Sequence, residues 1–546
     1  MTFPAKKARH RSDAWRGDSA APPLVTSATL GVESWISMFA SGVALVPAGA
    51  RTGSCHCPDE PLSSSRVPGV HRAGPAGRPR LSGHVHPTSG GDGMTSSVDL
   101  RGSYPLSPVQ RDLLRPVSDE ADPARDLQQV RLVIRGRLRV TEFQQAWDRV
   151  INRHEVLRTG FVRGDDGDHV QVVAAAAPAE WHLDDLRTIR ACQRRRGLAE
   201  LLAADRLRDF ALDVPPLCRF ALLRVSETEH LLVWTAHHLV VDGWSLPILL
   251  REVLTEYRAA VEGREAELPA PTPFRDHVAW SAARDLAEAE EFWRAELSDR
   301  PVPGPLQSDP PDWRGDPADA FDEYPLELTS EDTCLLHETI GQQRLALEAV
   351  VQGCWARLLA ARTGTDDIVI GSTVAGRATG PGAETLVGPL ANTVPVRVRI
   401  RPDQPVGVWL RGLQARQALA RPFDHVPPAM LRSWAGPPAE VPLFETVLDF
   451  ETYPMDNDLF TGTADASTLS VRFDGRWSAS HHPLNLLVVP GERLGLHARY
   501  DLRHLTPETV ESLLTDLAFL LSLVATNPER PVSTLRPPDE EPFPAD

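Results

Sequence analysis

Trp234-Thr-Ala-His237-His238-Leu-Val-Val-Asp242-Gly243-Trp244-Ser245 is the stretch from which both fold and chemistry can be read. The run from His230 to Ala236 is almost continuously apolar, the pattern of a strand covered on both faces. Two histidines end that strand. Gly243 is expected to permit a tight turn after Asp242, because glycine lacks the Cβ that closes off much of backbone space. Ser245 is placed to cap a helix over Leu246 to Glu262, with Pro247 tolerated in its first turn. Polar groups therefore emerge at the end of a rigid element, where a site can be held in fixed geometry.

Outward from this segment, Cys218 to Val225 reads as a second strand, joined to the first by the polar turn Ser226-Glu-Thr-Glu229. Gln129 to Val140 reads as a third. Thr141 then opens a helix, with Gln144 three residues on as a capping-box partner. Phe143, Ala146, Trp147, Val150 and Ile151 recur at helical spacing and predict one buried face. Helices are expected at Leu345 to Arg362, Val406 to Ala420 and Pro507 to Ala525, and strands at Ile368 to Val374, Val394 to Ile400, Phe444 to Phe450 and Leu494 to Tyr500. This alternation predicts an α/β protein in two halves, 94–270 and 271–536, divided near Leu268-Pro-Ala-Pro-Thr-Pro273 and followed by an acidic tail over 537–546.

At 546 residues, 42% hydrophobic and 24% charged, the chain is long enough for several domains and a large core. A net charge of −17 and the lack of a basic stripe argue against nucleic-acid binding, which needs clustered cations to neutralise phosphates. Lys6 and Lys7 are the only lysines, a coding bias toward arginine. Of six cysteines, Cys192, Cys218, Cys334 and Cys354 lie among apolar neighbours, as reduced thiols in a cytoplasmic protein would. Cys55-His56-Cys57 fits no standard zinc spacing, so no metal is expected there. The stretch from Leu24 to Pro47 is interrupted by Glu33, serines and glycines, and is too broken to cross a membrane. Residues 1–93 carry Gly, Pro and Ser clusters without periodicity, and ten basic against six acidic residues. They are expected to be disordered, or untranslated, since the codons of Ser89-Gly-Gly-Asp-Gly93 must be purine-rich, like a ribosome-binding site just before Met94.

A histidine at the end of the Trp234 strand has a direct chemical use. Imidazole titrates near neutrality and can take a proton from an attacking amine or hydroxyl. Two ordinary histidines at a strand end, or a metal held by two imidazoles and a carboxylate, are the alternatives. Adjacent strand residues point to opposite faces, which argues against His237 and His238 sharing one ion and predicts one histidine toward the core and the other toward a cavity.

The His237-His238-x-x-x-Asp242-Gly243 motif resembles the signature of the condensation domains of non-ribosomal peptide synthetases, within the chloramphenicol acetyltransferase-like superfamily. Ser103-Tyr-Pro-Leu-Ser-Pro-Val-Gln110, Arg153-His-Glu-Val-Leu-Arg158-Thr-Gly-Phe161 and Phe274-Arg-Asp-His-Val-Ala-Trp280 are similar to further motifs of that family. So are Val387-Gly-Pro-Leu-Ala-Asn392-Thr-Val-Pro-Val-Arg397, His425-Val-Pro-Pro, Phe444-Glu-Thr-Val-Leu-Asp-Phe-Glu-Thr-Tyr-Pro454 and His482-Pro-Leu-Asn485.

The resemblance implies two acetyltransferase-like lobes in a V around a central tunnel, with His238 at its centre as the catalytic residue. His237, Asp242, Gly243, Arg158 and Asn392 would support the site, and Asp242 would pair with Arg377 of Val374-Ala-Gly-Arg377. His237 separates the chain from heterocyclisation relatives, which carry aspartate there. Trp244-Ser-Leu-Pro247 separates it from epimerisation relatives. The implied enzyme is free-standing, cytoplasmic and monomeric. It would bind no cofactor or metal of its own, taking its donor from the phosphopantetheine arm of a partner carrier protein and passing it to a small-molecule acceptor or a second carrier protein. A coenzyme A-dependent or transesterifying acyltransferase is the nearest alternative, and a catalytically silent docking module is another.

Overall fold

The computed structural model describes residues 100–537, except 115–125, 165–166, 303, 305, 307–310, 316–319, 378–379, 381, 437–441, 452–468 and 479–481. The expectations for residues 1–93, including Cys55-His56-Cys57 and the Leu24 to Pro47 stretch, and for nearly all of the acidic tail lie outside the described residues.

In the first half, β1 (Leu100–Pro105), α1 (Pro108–Leu113), β2 (Leu127–Arg135) and α2 (Val140–Arg153) lead into β3 (Thr159–Arg163), β4 (His169–Ala174) and β5 (Glu180–Asp185). Then come α3 (Ala191–Arg206), β6 (Cys218–Arg224), β7 (Glu229–His237) and α4 (Ser245–Glu262). The second half runs through α5 (Phe274–Ala282), α6 (Ala287–Leu297), β8 (Phe321–Glu327), α7 (Ser330–Gln343), α8 (Leu347–Thr363), β9 (Asp367–Val374) and β10 (Asn392–Arg399). It continues with α9 (Val406–Ala420), α10 (Pro428–Trp434), β11 (Thr446–Phe450), β12 (Ser470–Ser478), β13 (Leu484–Val489), β14 (Gly495–Asp501) and α11 (Pro507–Thr526).

Among the described residues three sheets form, ordered β1-β4-β3, β12-β2-β7-β6-β5 and β10-β9-β11-β13-β14-β8. In the second of these, β7 pairs antiparallel with β2 on one side (Trp234 opposite Val130) and with β6 on the other (Ala236 opposite Cys218). A strand flanked on both edges has its backbone groups satisfied by the ladder, so the apolar run of β7 is buried almost throughout. The face of α2 carrying Phe143, Ala146, Trp147, Val150 and Ile151 is buried as its spacing predicts, and the Trp147 ring lies 4.6 Å from Phe220 and 6.1 Å from Trp234.

One strand ignores the division into halves. β12 belongs to the second half in sequence, yet it pairs antiparallel with β2, Phe473 opposite Leu132 and Ser478 opposite Gln128, with a register shift between Phe473 and Gly475. The core of the first half likewise takes in Leu386, Val387 and Leu390 from the second half, and Leu469 and Val471 at the start of β12.

Several sequence expectations need correction. α2 begins at Val140 with Arg139 at the cap position and no side-chain cap, so Thr141 and Gln144 form no capping box. Ser245 is the first helical residue of α4, after Trp244. Gly243 is absent from the left-handed glycines among the described residues, so the Asp242–Gly243 turn does not call on the positive φ that glycine alone adopts freely. Cys192 and Cys334 are exposed, on the solvent sides of α3 and α7, while Cys218 and Cys354 are buried. Among the described residues, one helix, α11, is long and apolar enough to cross a membrane, and it buries Val510, Leu513, Leu514, Leu517, Leu520, Leu521 and Val524 in the core of the second half.

Candidate active site

His237 is the last residue of β7 and His238 the first beyond it, so the ladder holds one and positions the other. His237 is buried, its Nδ1 accepts from Leu239 N–H at 3.1 Å, and its ring meets Phe210 edge-on. Burial lowers its pKa to about 4, against an opposing pull from Asp126, and keeps it neutral. His238 retains partial access to solvent. Its backbone N–H donates to Asp126 O at 2.7 Å. Its Nδ1 lies 3.4 Å from Val241 O and its Nε2 3.0 Å from Ser478 Oγ.

A carbonyl can only accept, so a neutral His238 carries its proton on Nδ1 and turns the Nε2 lone pair toward the Ser478 hydroxyl. Burial holds the His238 pKa below the ordinary histidine range; Asp126 opposes that shift and Arg476 adds to it. The ring is therefore a neutral base at physiological pH. The two histidines do not converge. Among the described residues, no group of three or more His, Cys, Asp or Glu side chains is arranged to hold a metal ion.

Asp242 is buried. Arg377 meets it with two parallel bonds, Nη1 to Oδ2 at 2.7 Å and Nη2 to Oδ1 at 3.0 Å. Ser245 N–H and Oγ–H donate to Oδ1, and Leu390 and Ala391 N–H donate to Oδ2. Burial alone would raise the Asp242 pKa, but the Arg377 charge and these donors prevail and hold it below the usual carboxylate range. Ser245 Oγ also accepts from Gly388 N–H at 3.1 Å. The turn after the histidines is thus tied to two segments of the second half, around Arg377 and around Gly388 to Ala391.

Gly376 makes the first of these possible: its φ is +66°, and a Cβ there would lie 1.9 Å from Leu390 O. Here a side chain is excluded by backbone shape and by space at once.

The other expected residues act at one remove. Arg158 is buried and donates to Asn152 O and Ala174 O, inside the first half and away from the histidines. Asn392 donates from Nδ2 to Asp424 O and Val426 O, both at 2.8 Å, and so fixes the segment carrying Asp424.

Two residues with direct contacts to this turn escape a reading of the sequence for site residues. Gln110 Nε2 donates to Leu239 O at 2.8 Å and to Gln171 Oε1, while its own segment forms a capping box with Ser107. It ends the opening motif, so a signal existed. Ser478 had none, since it reaches His238 only because β12 crosses to β2.

The register of β12 is braced from both halves. The guanidinium groups of Arg206 and Arg499 both lie over the Trp477 ring, 4.5 and 4.2 Å from its centre. Arg476 pairs with Asp449 of β11 at 2.6 Å.

Similarity to known proteins agrees with this construction. The chain is 34% identical over 434 residues to a linear gramicidin synthase of Brevibacillus parabrevis, covering 78% of this chain and 6% of that protein. It is 33% identical over 409 residues to the chondramide synthase cmdD of Chondromyces crocatus, covering 74% and 10%. The chain thus spans a tenth or less of the length of these relatives.

Among solved structures, the first condensation domain of the calcium-dependent antibiotic synthetase superposes with a TM-score of 0.66 at 19% identity, over 80% of this chain and 98% of that one. The SgcC5 protein of Streptomyces globisporus superposes with a TM-score of 0.66 at 21% identity, over 78% and 100%. The family model of the condensation domain matches residues 100–542, from β1 to beyond the last described turn, and the chain accordingly belongs to the condensation-domain family of non-ribosomal peptide synthetases.

Proposed function

We propose that this chain is an acyltransferase that condenses a carrier-bound acyl or aminoacyl thioester with an amine or alcohol in secondary-metabolite biosynthesis. Its two halves form acetyltransferase-like lobes in a V, with a tunnel between them that opens at His238. The donor arrives on the phosphopantetheine arm of a partner carrier protein, so the chain needs no resident cofactor. The acceptor is a small molecule or is held by a second carrier. We take the working form to be a cytoplasmic monomer, with His238 as the catalytic residue and His237, Asp242, Gly243, Arg377, Arg158 and Asn392 as its supports.

The observation that carries this reading is the orientation of His238. Its Nδ1 contacts the Val241 carbonyl, its Nε2 is left as an acceptor, and a hydroxyl on a strand from the other half stands 3.0 Å away. An amine entering there would give a hydrogen to Nε2 and aim its lone pair at the thioester carbonyl. As the C–N bond forms, the C–S bond breaks, and the departing thiolate takes up the proton the amine loses. Ser478 is placed to hold the same amine or the developing charge on the carbonyl oxygen.

His238→Ala is expected to lower turnover by about 10²-fold or more, with the thermal midpoint little changed because the ring is partly solvated. Full product formation by that variant would overturn the assignment. A carrier-bound donor should also outpace the same acyl group on coenzyme A, since remote binding energy orients the reacting carbon. Equal kcat/KM values would favour the coenzyme A-dependent reaction instead.

A further inference from the structure

A cavity of about 310 Å³ lies at the ends of β9, β10 and β11, walled by α6, α8 and α9. It adjoins the reaction site on two sides. Trp244 and Arg377 line it from the Asp242 turn, and Asp449 lines it while holding Arg476, two residues before Ser478. Most charges on its wall already have partners: Glu296 pairs with Arg416, Arg397 with Asp367, and Arg377 with Asp242.

Asp424 differs. It is only 7% exposed and lines the cavity, and among the described residues its carboxylate has no hydrogen-bond or ion-pair partner. Its backbone is fixed by Asn392, which donates to its carbonyl, and by its own N–H to Arg421 O. Arg284 and Arg421, the latter also on the cavity wall, act on it through space without an ion-pair contact. Arg284 is engaged elsewhere, lying 4.9 Å over the Trp280 ring and donating to Pro422 O.

Burial raises the Asp424 carboxyl to about 6 against the opposing pull of Arg284 and Arg421, so at neutral pH it is an ionised, largely buried group that no cation among the described residues touches. Such a group is costly unless a cation is supplied. The same cavity presents aromatic side chains, Trp244, Phe292 and Trp293, which suit a cation with an alkyl stem.

We propose that this cavity binds an organic ammonium group carried by a substrate, with Asp424 as its counter-ion. The inference rests on the condensation reading above and narrows its substrate class. The ammonium comes either from a diamine acceptor, whose other nitrogen attacks as the neutral amine, or from the side chain of a basic aminoacyl donor. In both cases bond making and breaking are those already described, and the ammonium is a spectator.

Two kinetic comparisons separate the sources. With a neutral acyl thioester fixed as donor, 1,4-diaminobutane is compared with butylamine as acceptor. With butylamine fixed as acceptor, an ornithyl thioester is compared with a norvalyl thioester. The ammonium-bearing member is expected to win by about tenfold or more in kcat/KM in one comparison, and Asp424→Asn is expected to bring that ratio to near one. Wild-type ratios near one in both comparisons would overturn the proposal, as would a preference that survives Asp424→Asn.

If no pair gives product, the condensation reading fails, and the ammonium site is decided by melting the full chain with 1,4-diaminobutane or 1,4-butanediol at fixed ionic strength. A rise with the diamine alone, lost in Asp424→Asn, supports the site. No rise in the wild-type protein overturns it, and that measurement does not depend on the variant folding.

Discussion

Two neighbouring histidines have opposite fates here because a strand ends between them. His237 still belongs to the ladder, points into protein and spends its Nδ1 on a local backbone N–H. His238 has left the ladder and meets a side chain from the far half. Removing the first should therefore be a loss of packing. His237→Ala is expected to lower stability by about 1–3 kcal/mol, the usual cost of a buried side chain whose contacts and hydrogen bond are lost. Urea midpoints of the variant and the wild-type protein measure it; an unchanged midpoint would show that the buried ring contributes nothing to the fold. The histidine pair and its aspartate stood out through the resemblance of their motif to a family signature, whereas the opposite-face argument came from spacing, because period-2 alternation is a property of the backbone. Asp424 was not legible as a site residue. It stands just before His425-Val-Pro-Pro, and only the placement of α6, α8 and α9 around it leaves its carboxylate without a partner among the described residues.

The turn after β7 is an element made by two distant stretches of chain. The Asp242 carboxylate accepts six hydrogen bonds from the described residues, two each from Arg377 and Ser245 and one each from Leu390 and Ala391. Breaking a buried pair of this kind from one side leaves the other charge stranded, at a cost of about 3–5 kcal/mol. Asp242→Asn and Arg377→Ala should each destabilise by about that amount, and the double variant by clearly less than their sum. Additive losses in denaturant midpoint would mean the two groups are energetically independent. Elements with a continuous apolar run or a clean apolar face, such as β7, α2 and α9, could be placed from sequence. β12 could not, since Ser470-Val-Arg-Phe-Asp-Gly-Arg-Trp-Ser478 mixes charges and a glycine into a weak alternation and its partner strand is hundreds of residues earlier. α3 escaped for the opposite reason: it is polar nearly all round, with Leu202 its one buried side chain. The capping box at Thr141 failed because α2 starts one residue earlier than its sequence signal.

Over the whole molecule, burial leaves several histidines reluctant to ionise. His237, His277 and His425 are each lowered to about 4. An unfolded chain protonates them near 6.5, so between pH 6.5 and 4 it binds more protons than the folded one, and stability falls as pH falls. The buried His237 contributes a slope of roughly 1.4 kcal/mol per pH unit, and the partly exposed His277 and His425 less, because solvent screens them. Asp424, raised to about 6, has the opposite sign: the folded state holds its proton first, which offsets about one histidine below pH 6. The full-length protein should accordingly lose urea resistance steadily from pH 6.5 to 5, and a flat profile would show that these rings are solvated. The crossing of β12 has a consequence measured in time. Ser478 follows His238 by 240 residues, and a ribosome adding roughly 5–20 residues per second needs on the order of ten to fifty seconds to bridge that gap. Through that interval the nascent chain displays β2 as an open edge, an invitation to pair with other chains and a natural point of engagement for chaperones. Activity then certifies that synthesis has passed Ser478, because no fragment ending short of it carries both sides of the contact at His238.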